Sequence, residues 1–307
     1  MEQKNNWKAR LYLAPVLILM AIFLIYPLIN TFFISFMDGY NYIDGSFTGW
    51  SFNNFGRILG LVTNPTGFDS SGIPYYEYSV IEYALPNTVV IVIVTVPLSI
   101  LIALLISVGL NSIKWFQKIL QTIFFLPYVT NSIAIGMVFA VVFDDRGIIN
   151  YIFNLDTKWI VGADRWTAMI PLCIYIVWGS LPFKILILLS GLQGIDKQYY
   201  QAAQIDATPK WKTLWKITVP LLSPQILYLM ITSFIGAFKE YTAVVGLFNG
   251  PGTITGSYNM YTIVYFIYDA FKSNTLNIAA AAAVMLFIII LILTFVQMWA
   301  SNKKVHY

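Results

Sequence analysis

Long apolar runs at residues 11–37, 83–113, 119–143, 217–238 and 273–302 carry no Asp, Glu, Lys or Arg. A sixth, 166–194, is interrupted only by Lys184. About 20 helical residues cross a hydrocarbon core of ~30 Å, so each run is long enough. In lipid the backbone finds partners only within the protein, and a helix supplies them internally. No run shows the dyad alternation of an outer-membrane barrel strand. The pattern predicts six transmembrane helices, at about 11–36, 84–109, 119–143, 167–193, 220–246 and 275–300. Residues 1–10 then form a cytoplasmic N-terminal segment ahead of a transmembrane domain over 11–307. Lys4, Lys8 and Arg10 imitate the start of a signal peptide. The apolar run behind them is too long for that and lacks a clear small-x-small cleavage site, so it reads as an uncleaved span.

Composition supports a bilayer as solvent. The chain is 58% hydrophobic and only 10% charged, against about 25% charged in a soluble domain. Cys173 is the only cysteine, so no intrachain disulfide forms. His306 is the only histidine, which excludes a His-based metal site or catalytic triad within the chain. The placement of the charge matters more than the net +4. Lys4, Lys8 and Arg10, then Lys114 and Lys118, then Lys197, Lys210, Lys212 and Lys216, then Lys303 and Lys304 fall on one side of a six-span topology. The other side carries Arg57, Arg146, Lys158, Arg165 and Lys272, but also Asp38, Asp44, Asp69, Glu77, Asp144, Asp145, Asp156 and Asp164. The positive-inside rule puts both termini and the 196–220 loop in the cytoplasm.

That loop is the most polar segment of the second half. Residues 197–205 lack helix breakers, and Asp206-Ala207-Thr208-Pro209 turns the chain. Thr208 suits the cap of a second helix and Pro209 its first position. There Trp211, Leu214, Trp215 and Thr218 share one face at helical spacing, and Lys212 and Lys216 another. Physics alone leaves two readings: an interfacial helix–turn–helix resting on lipid headgroups, or a docking element for a cytoplasmic partner.

The loop resembles the EAA loop of ABC importer permeases, whose pattern is Glu-Ala-Ala, three residues, Gly, about nine residues, then Ile-x-x-Pro. Gln201-Ala202-Ala203 matches its start, Asp206-Ala207 stands where Asp-Gly is usual, and Ile217-Thr218-Val219-Pro220 matches its end. Gln201 lacks the charge of the usual Glu, and Ala207 is strained if the turn needs φ > 0. The likeness extends along the chain. Tyr26-Pro27, Gly49-Trp50-Ser51-Phe52-Asn53-Asn54-Phe55, Asn87-Thr88, Phe125-Leu126-Pro127, Gly191-Leu192-Gln193-Gly194-Ile195 and Asn249-Gly250-Pro251-Gly252 are similar to elements of the carbohydrate branch, of maltose, lactose and oligosaccharide type.

The resemblance implies an all-α integral membrane protein: six transmembrane helices and a cytoplasmic coupling helix–turn–helix, in the type I ABC importer permease architecture. It implies half of a translocation path for a di- or oligosaccharide in a prokaryotic inner membrane. The implied partners are a second homologous permease, two cytoplasmic ATPase subunits and an extracytoplasmic sugar-binding protein, with lipid around them and no nucleic acid. Gln201, Ala202, Ala203, Asp206, Ala207, Trp211, Leu214 and Trp215 would couple to the ATPase. The chain has no Gly-Lys dipeptide and so no phosphate loop of its own. It therefore implies neither catalytic residues nor a resident cofactor, with ATP and Mg bound by the partners.

For the sugar path, the resemblance points to Phe238, Lys239, Glu240 and Tyr241 in the fifth span. Ionisable groups at that depth usually face a bundle interior or a water-filled cavity; a purely structural pairing is the other reading. Asn131, with Thr130 and Ser132, either lines the path or satisfies backbone freed by Pro127. Lys184 is expected to snorkel or to pair structurally rather than touch substrate. Tyr261, Tyr265, Phe266 and Tyr268 read as an interfacial belt, and residues 279–283, all alanine, as a packing face. The competing class is a self-contained secondary transporter or channel for a polar solute, but no inverted repeat with paired broken helices is visible. A membrane enzyme lacks an activated nucleophile or metal cluster.

Overall fold

The computed structural model describes residues 6–61, 67–68, 74–75, 80–113, 117–250 and 260–301. Lys4, Asp69, Glu77, Lys114, Pro251, Gly252, Lys303, Lys304 and His306 lie outside them. Helix α1 (Asn6–Met20) runs through a π-helical turn, Ala21–Ile25, into α2 (Tyr26–Ile34). Strands β1 (Met37–Asp38) and β2 (Gly49–Trp50) pair antiparallel, and α3 (Asn53–Ile58) follows. After β3 (Gly67–Phe68) and β4 (Pro74–Tyr75), a π turn at Val80–Ala84 opens α4 (Leu85–Ser112). Next come α5 (Gln117–Val129), α6 (Ser132–Val142), α7 (Ile148–Phe153) and α8 (Arg165–Gly194). The loop holds α9 (Lys197–Ile205), α10 (Lys210–Thr213), a π turn at Leu214–Thr218 and α11 (Val219–Leu221). The chain closes with α12 (Ser223–Phe238), α13 (Thr242–Phe248), α14 (Ile263–Lys272) and α15 (Leu276–Ser301).

The π turns have a common cause. Pro27, Pro86 and Pro220 each follow one by two residues. A proline ring collides with the carbonyl four residues back, here that of Phe23, Glu82 or Lys216, the middle residue of each π turn. Widening the turn clears the ring without breaking the helix.

Four helical stretches are continuous and apolar enough to span a bilayer: Arg10–Ile34, Val80–Ser112, Arg165–Gly194 and Leu276–Ser301. The expected third and fifth spans are not straight rods. Gln121–Val129 and Ser132–Val142 meet at 104°, and Lys210–Leu221 and Ser223–Phe238 at 72°. The third breaks because Asn131 takes an extended conformation and turns its side chain into a cap for α6, accepting from the amides of Ile133 (2.9 Å) and Ala134 (3.4 Å). Past α12 the fifth breaks again at residues 239–241, where Tyr241 leaves the helical region.

The chain divides into two compact units, residues 1–81 with 266–287 and residues 82–265 with 288–307. In the first, the most apolar window of Arg10–Ile34 has no buried residue, as befits a helix hydrophobic all round. The Trp50-to-Phe55 motif is a polar knot. Asn54 is wholly buried and donates to the carbonyls of Ser35 and Met37, both at 3.0 Å. Its own oxygen accepts from Asn277 at 2.9 Å. Ser51 and Asn53 both donate to the Asp38 carboxylate, at 2.5 and 2.8 Å. Ala279 to Ala282 are all buried, so this stretch of α15 is enclosed on every side rather than on one face. Phe266 is fully buried too, which removes it from the expected belt; Tyr268 is partly exposed, with Lys272 over its ring.

In the second unit α4 packs along α8. Thr88, Thr95, Ser99 and Ser107 form a buried stripe on α4, each hydroxyl donating to a carbonyl three or four residues back. Small polar residues of this kind let helix backbones approach in a membrane, and Ser107 also reaches the Ile185 carbonyl at 3.2 Å. Beyond this stripe Asn87 ties three elements. It donates to the Tyr261 carbonyl at 2.9 Å and accepts from Arg165 Nε at 2.7 Å, while Thr88 accepts from the Ile263 amide at 3.1 Å. Tyr261 is buried here, not interfacial. The Thr167 hydroxyl and amide hold the capping Asp164 carboxyl below its usual range.

Candidate functional site

The breaks in the third and fifth spans frame a cavity of about 520 Å³ in the second unit. Lys239 and Glu240 line it, from the break between α12 and α13. Lys239 is exposed, and its ammonium has no hydrogen-bond or ion-pair partner among the described residues. Glu240 is more constrained. Its Oε1 accepts from the Ala243 amide at 2.8 Å, and its carbonyl accepts from the Thr262 hydroxyl at 2.7 Å. Glu240 therefore caps α13 as well as facing the cavity. Phe238 is buried, and Tyr241 stacks at 5.3 Å on Tyr265; neither lines the cavity. Asn131 is the α6 cap described above, and its neighbour Ser132 takes the lining position. Thr130 donates back to the Leu126 carbonyl at 2.8 Å, not to the Ile123 carbonyl that Pro127 frees.

Residues not singled out for the path complete the wall. Tyr128 and Phe183 lie with planes 16° apart and centroids at 6.3 Å, offering a flat apolar face. Tyr175 lines the cavity and donates its hydroxyl to the Ser132 carbonyl. Lys184 does not snorkel: it is 5% exposed and donates to Ser99 Oγ and Ser180 Oγ, both at 2.8 Å. Its lone charge was visible in the sequence. The Tyr128–Phe183 pair was not, because it joins two helices 55 residues apart in the chain.

Helices α6 and α13 touch backbone to backbone. A Cβ on Gly136 would lie 2.6 Å from the Gly246 carbonyl carbon, and one on Gly246 would lie 3.2 Å from Ile133 Cα. Both half-helices that border the cavity are thus set by two glycines.

The second candidate site is the 196–220 loop. Helix α9 covers the expected residues, capped by Asp196 on the Gln198 amide at 2.9 Å. The turn behind it has Ala207 at φ 47°, the left-handed conformation that glycine adopts freely. The second helix begins one residue later than expected, with Pro209 rather than Thr208 at the cap position. Thr208 instead donates its amide to the Ala203 carbonyl at 2.9 Å, closing α9. We expect Ala207→Gly to stabilise the permease by about 1 kcal/mol, the left-handed penalty less glycine's chain entropy. Its melting temperature should rise with uptake retained; a lower melting temperature would contradict the strain.

The expected single face of the second helix divides in two. Leu214 (8% exposed) and Thr218 (4%) turn inward, where the Thr218 hydroxyl meets Tyr200 OH at 3.3 Å. Trp211 (65%) and Trp215 (41%) turn outward, ring centroids 5.5 Å apart. The π turn ahead of Pro220 begins at Leu214 and alters the register from there. Gln201 and Ala202 are exposed, Ala203 is buried, and Ile205, which the motif did not single out, is 86% exposed. At the base, a Cβ on Gly191 would meet Leu222 Cδ2 at 2.8 Å, so this glycine admits the turn into α12.

Comparison with known proteins agrees with these features. Residues 95–305 match the family described as binding-protein-dependent transport system inner membrane component. The chain is 27% identical to the lactose transport system permease protein LacF of Rhizobium radiobacter, over 98% of this chain and 95% of the relative. It is 26% identical to the arabinooligosaccharides transport system permease protein AraP of Bacillus subtilis (strain 168), over 95% and 88%. Its fold matches a chain from a bacterial ABC transporter involved in the import of the acidic polysaccharide alginate, with a TM-score of 0.76 at 18% identity, covering 99% of this chain and 98% of that one. The chain is a multi-pass membrane protein of the type I importer permease fold, and it belongs to the binding-protein-dependent transport system inner membrane component family.

Proposed function

We propose that this permease forms half of the membrane path of an ATP-driven importer for a di- or oligosaccharide. The observation that carries the reading is the cavity: hydroxyls, an aromatic stack and ionisable groups gathered inside an otherwise apolar domain. Sugar recognition needs this combination of apolar ring faces and convergent polar groups, and 520 Å³ lies in the range of small-molecule sites. The names of the lactose and arabinooligosaccharide relatives favour the same substrate class.

The remaining parts follow from this reading. A homologous permease supplies the other half of the path, and an extracytoplasmic binding protein delivers the sugar. A solved relative of the same fold is in complex with an alginate pentasaccharide-bound periplasmic protein. ATP and Mg²⁺ are held by two separate cytoplasmic ATPase subunits, and the exposed Trp211 and Trp215 dock there. The termini and the loop lie in the cytoplasm. Closure of the ATPases then moves the loop, α12 follows through its 72° junction, and the path opens outward.

Lys239 gives the cleanest check, because it lines the cavity and its ammonium bonds to no other side chain among the described residues. We expect Lys239→Met to lower uptake about tenfold, the scale of one charged hydrogen bond, while the ATPase still co-purifies. Uptake equal to wild type would place the path elsewhere.

A further inference from the structure

The ammonium of Lys184 poses a question that the sugar path alone does not answer. It is 5% exposed, two-thirds of the way along α8, and lines the cavity. A charge in such a place usually has a counter-charge. Here its two partners are the neutral hydroxyls of Ser99 and Ser180. Each of those hydroxyls spends its own hydrogen on a backbone carbonyl, of Val96 at 3.0 Å and of Val177 at 2.9 Å. Both serines therefore act as acceptors toward Lys184, and neither brings negative charge. An ammonium has three donors, so one is left for the cavity.

The rest of the wall does not supply the missing charge. Among the described residues no carboxylate lies within ion-pair distance of Lys184. Among the described residues Glu240 is the one acidic side chain in the lining, and its Oε1 is engaged in capping α13. Against it stand two lysines, Lys184 and Lys239. The cavity therefore has an excess of positive charge within a low-dielectric domain, where an anionic group gains most. Phe183, next to Lys184 in sequence, holds the flat stack with Tyr128. A sugar ring on that face would bring a ring substituent toward the ammonium.

Resting on the sugar reading above, we propose that Lys184 is a specificity-determining residue that receives an anionic substituent of the sugar, a carboxylate or a phosphate. A neutral sugar would leave the buried charge with hydroxyl partners only, whereas an anionic one completes it with a charge-assisted hydrogen bond.

Uptake by cells expressing the full importer tests this, with radiolabelled digalacturonate, glucose 6-phosphate and lactose as probes, in wild type, Lys184→Gln and Lys184→Arg. The binding protein is the same in all three strains, so a change in the ratio of anionic to neutral uptake belongs to the permease. The proposal expects Lys184→Gln to lower that ratio about tenfold and Lys184→Arg to keep it; whichever anionic probe shows the drop identifies the group. Equal loss for all probes means that Lys184 only ties α8 to Ser99, and overturns the proposal. Wild-type uptake of lactose alone overturns it too but leaves the sugar importer standing. Uptake of no sugar at all, with the ATPase still bound, removes the sugar reading and this inference with it.

Discussion

Gly136→Ala is expected to cut sugar uptake about tenfold or more and to lower the melting temperature of the purified permease. The added Cβ would sit 2.6 Å from the Gly246 carbonyl carbon, 2.7 Å from its Cα and 2.9 Å from its oxygen. Overpacking costs about 1–3 kcal/mol when side chains can adjust. Here the obstacle is backbone, so all of α13 must shift away from α6. Lys239 and Glu240 stand at the start of α13, and Ser132 at the start of α6. Any separation of the two half-helices therefore moves opposite walls of the cavity. Gly246→Ala is expected to be milder, because its Cβ would meet its neighbours at 3.2–3.3 Å, a distance that a small adjustment relieves. The order of severity is the informative result. A Gly136→Ala permease that melts and transports like wild type, or a Gly246→Ala permease that is worse, would contradict the close contact.

The second large effect is expected at the cytoplasmic loop. Trp211→Ala with Trp215→Ala should abolish both ATPase co-purification and uptake while leaving the permease folded. The two rings are exposed and touch each other, so their removal creates no cavity in the protein. Exposed tryptophans are the residues most often found to dominate an interface, at about 2 kcal/mol or more apiece. Leu214 does not belong in this test, although the helical spacing groups it with the tryptophans. It is buried, and Leu214→Ala would weaken the loop itself. A double-alanine permease that still binds its ATPase would assign the tryptophans to the lipid headgroup region instead.

These two sites show what was legible in the chain. The first, second, fourth and sixth expected spans are continuous helices because hydrocarbon imposes length and composition on any helix that crosses it, while the third and fifth are bent pairs. Helix α9 was readable because breakers act locally, and the left-handed Ala207 because the resemblance sets it where a Gly is usual. The 104° break at Asn131 was less so. Asn is also a common cap, but within an apolar run its role depends on whether the helix continues. The division between Trp211 and Leu214 was hidden because helical spacing places both on one broad face, and which part of that face is buried depends on tertiary packing. Tyr261 and Phe266 looked interfacial by type and position, yet they are buried. The burial of Lys184 between Ser99 and Ser180 depends on the packing of α4 against α8, which no local pattern encodes.

The most direct measurement is uptake of labelled sugar into proteoliposomes that hold both permease halves, with binding protein supplied outside. The ATPase subunits and ATP should each be present or omitted in turn. A passive half-pore driven through residues 196–220 accumulates sugar only when ATPase and ATP are both present, and Trp211→Ala with Trp215→Ala removes that accumulation. Accumulation without any ATPase, driven by an ion gradient, would contradict the account and make the protein a secondary transporter.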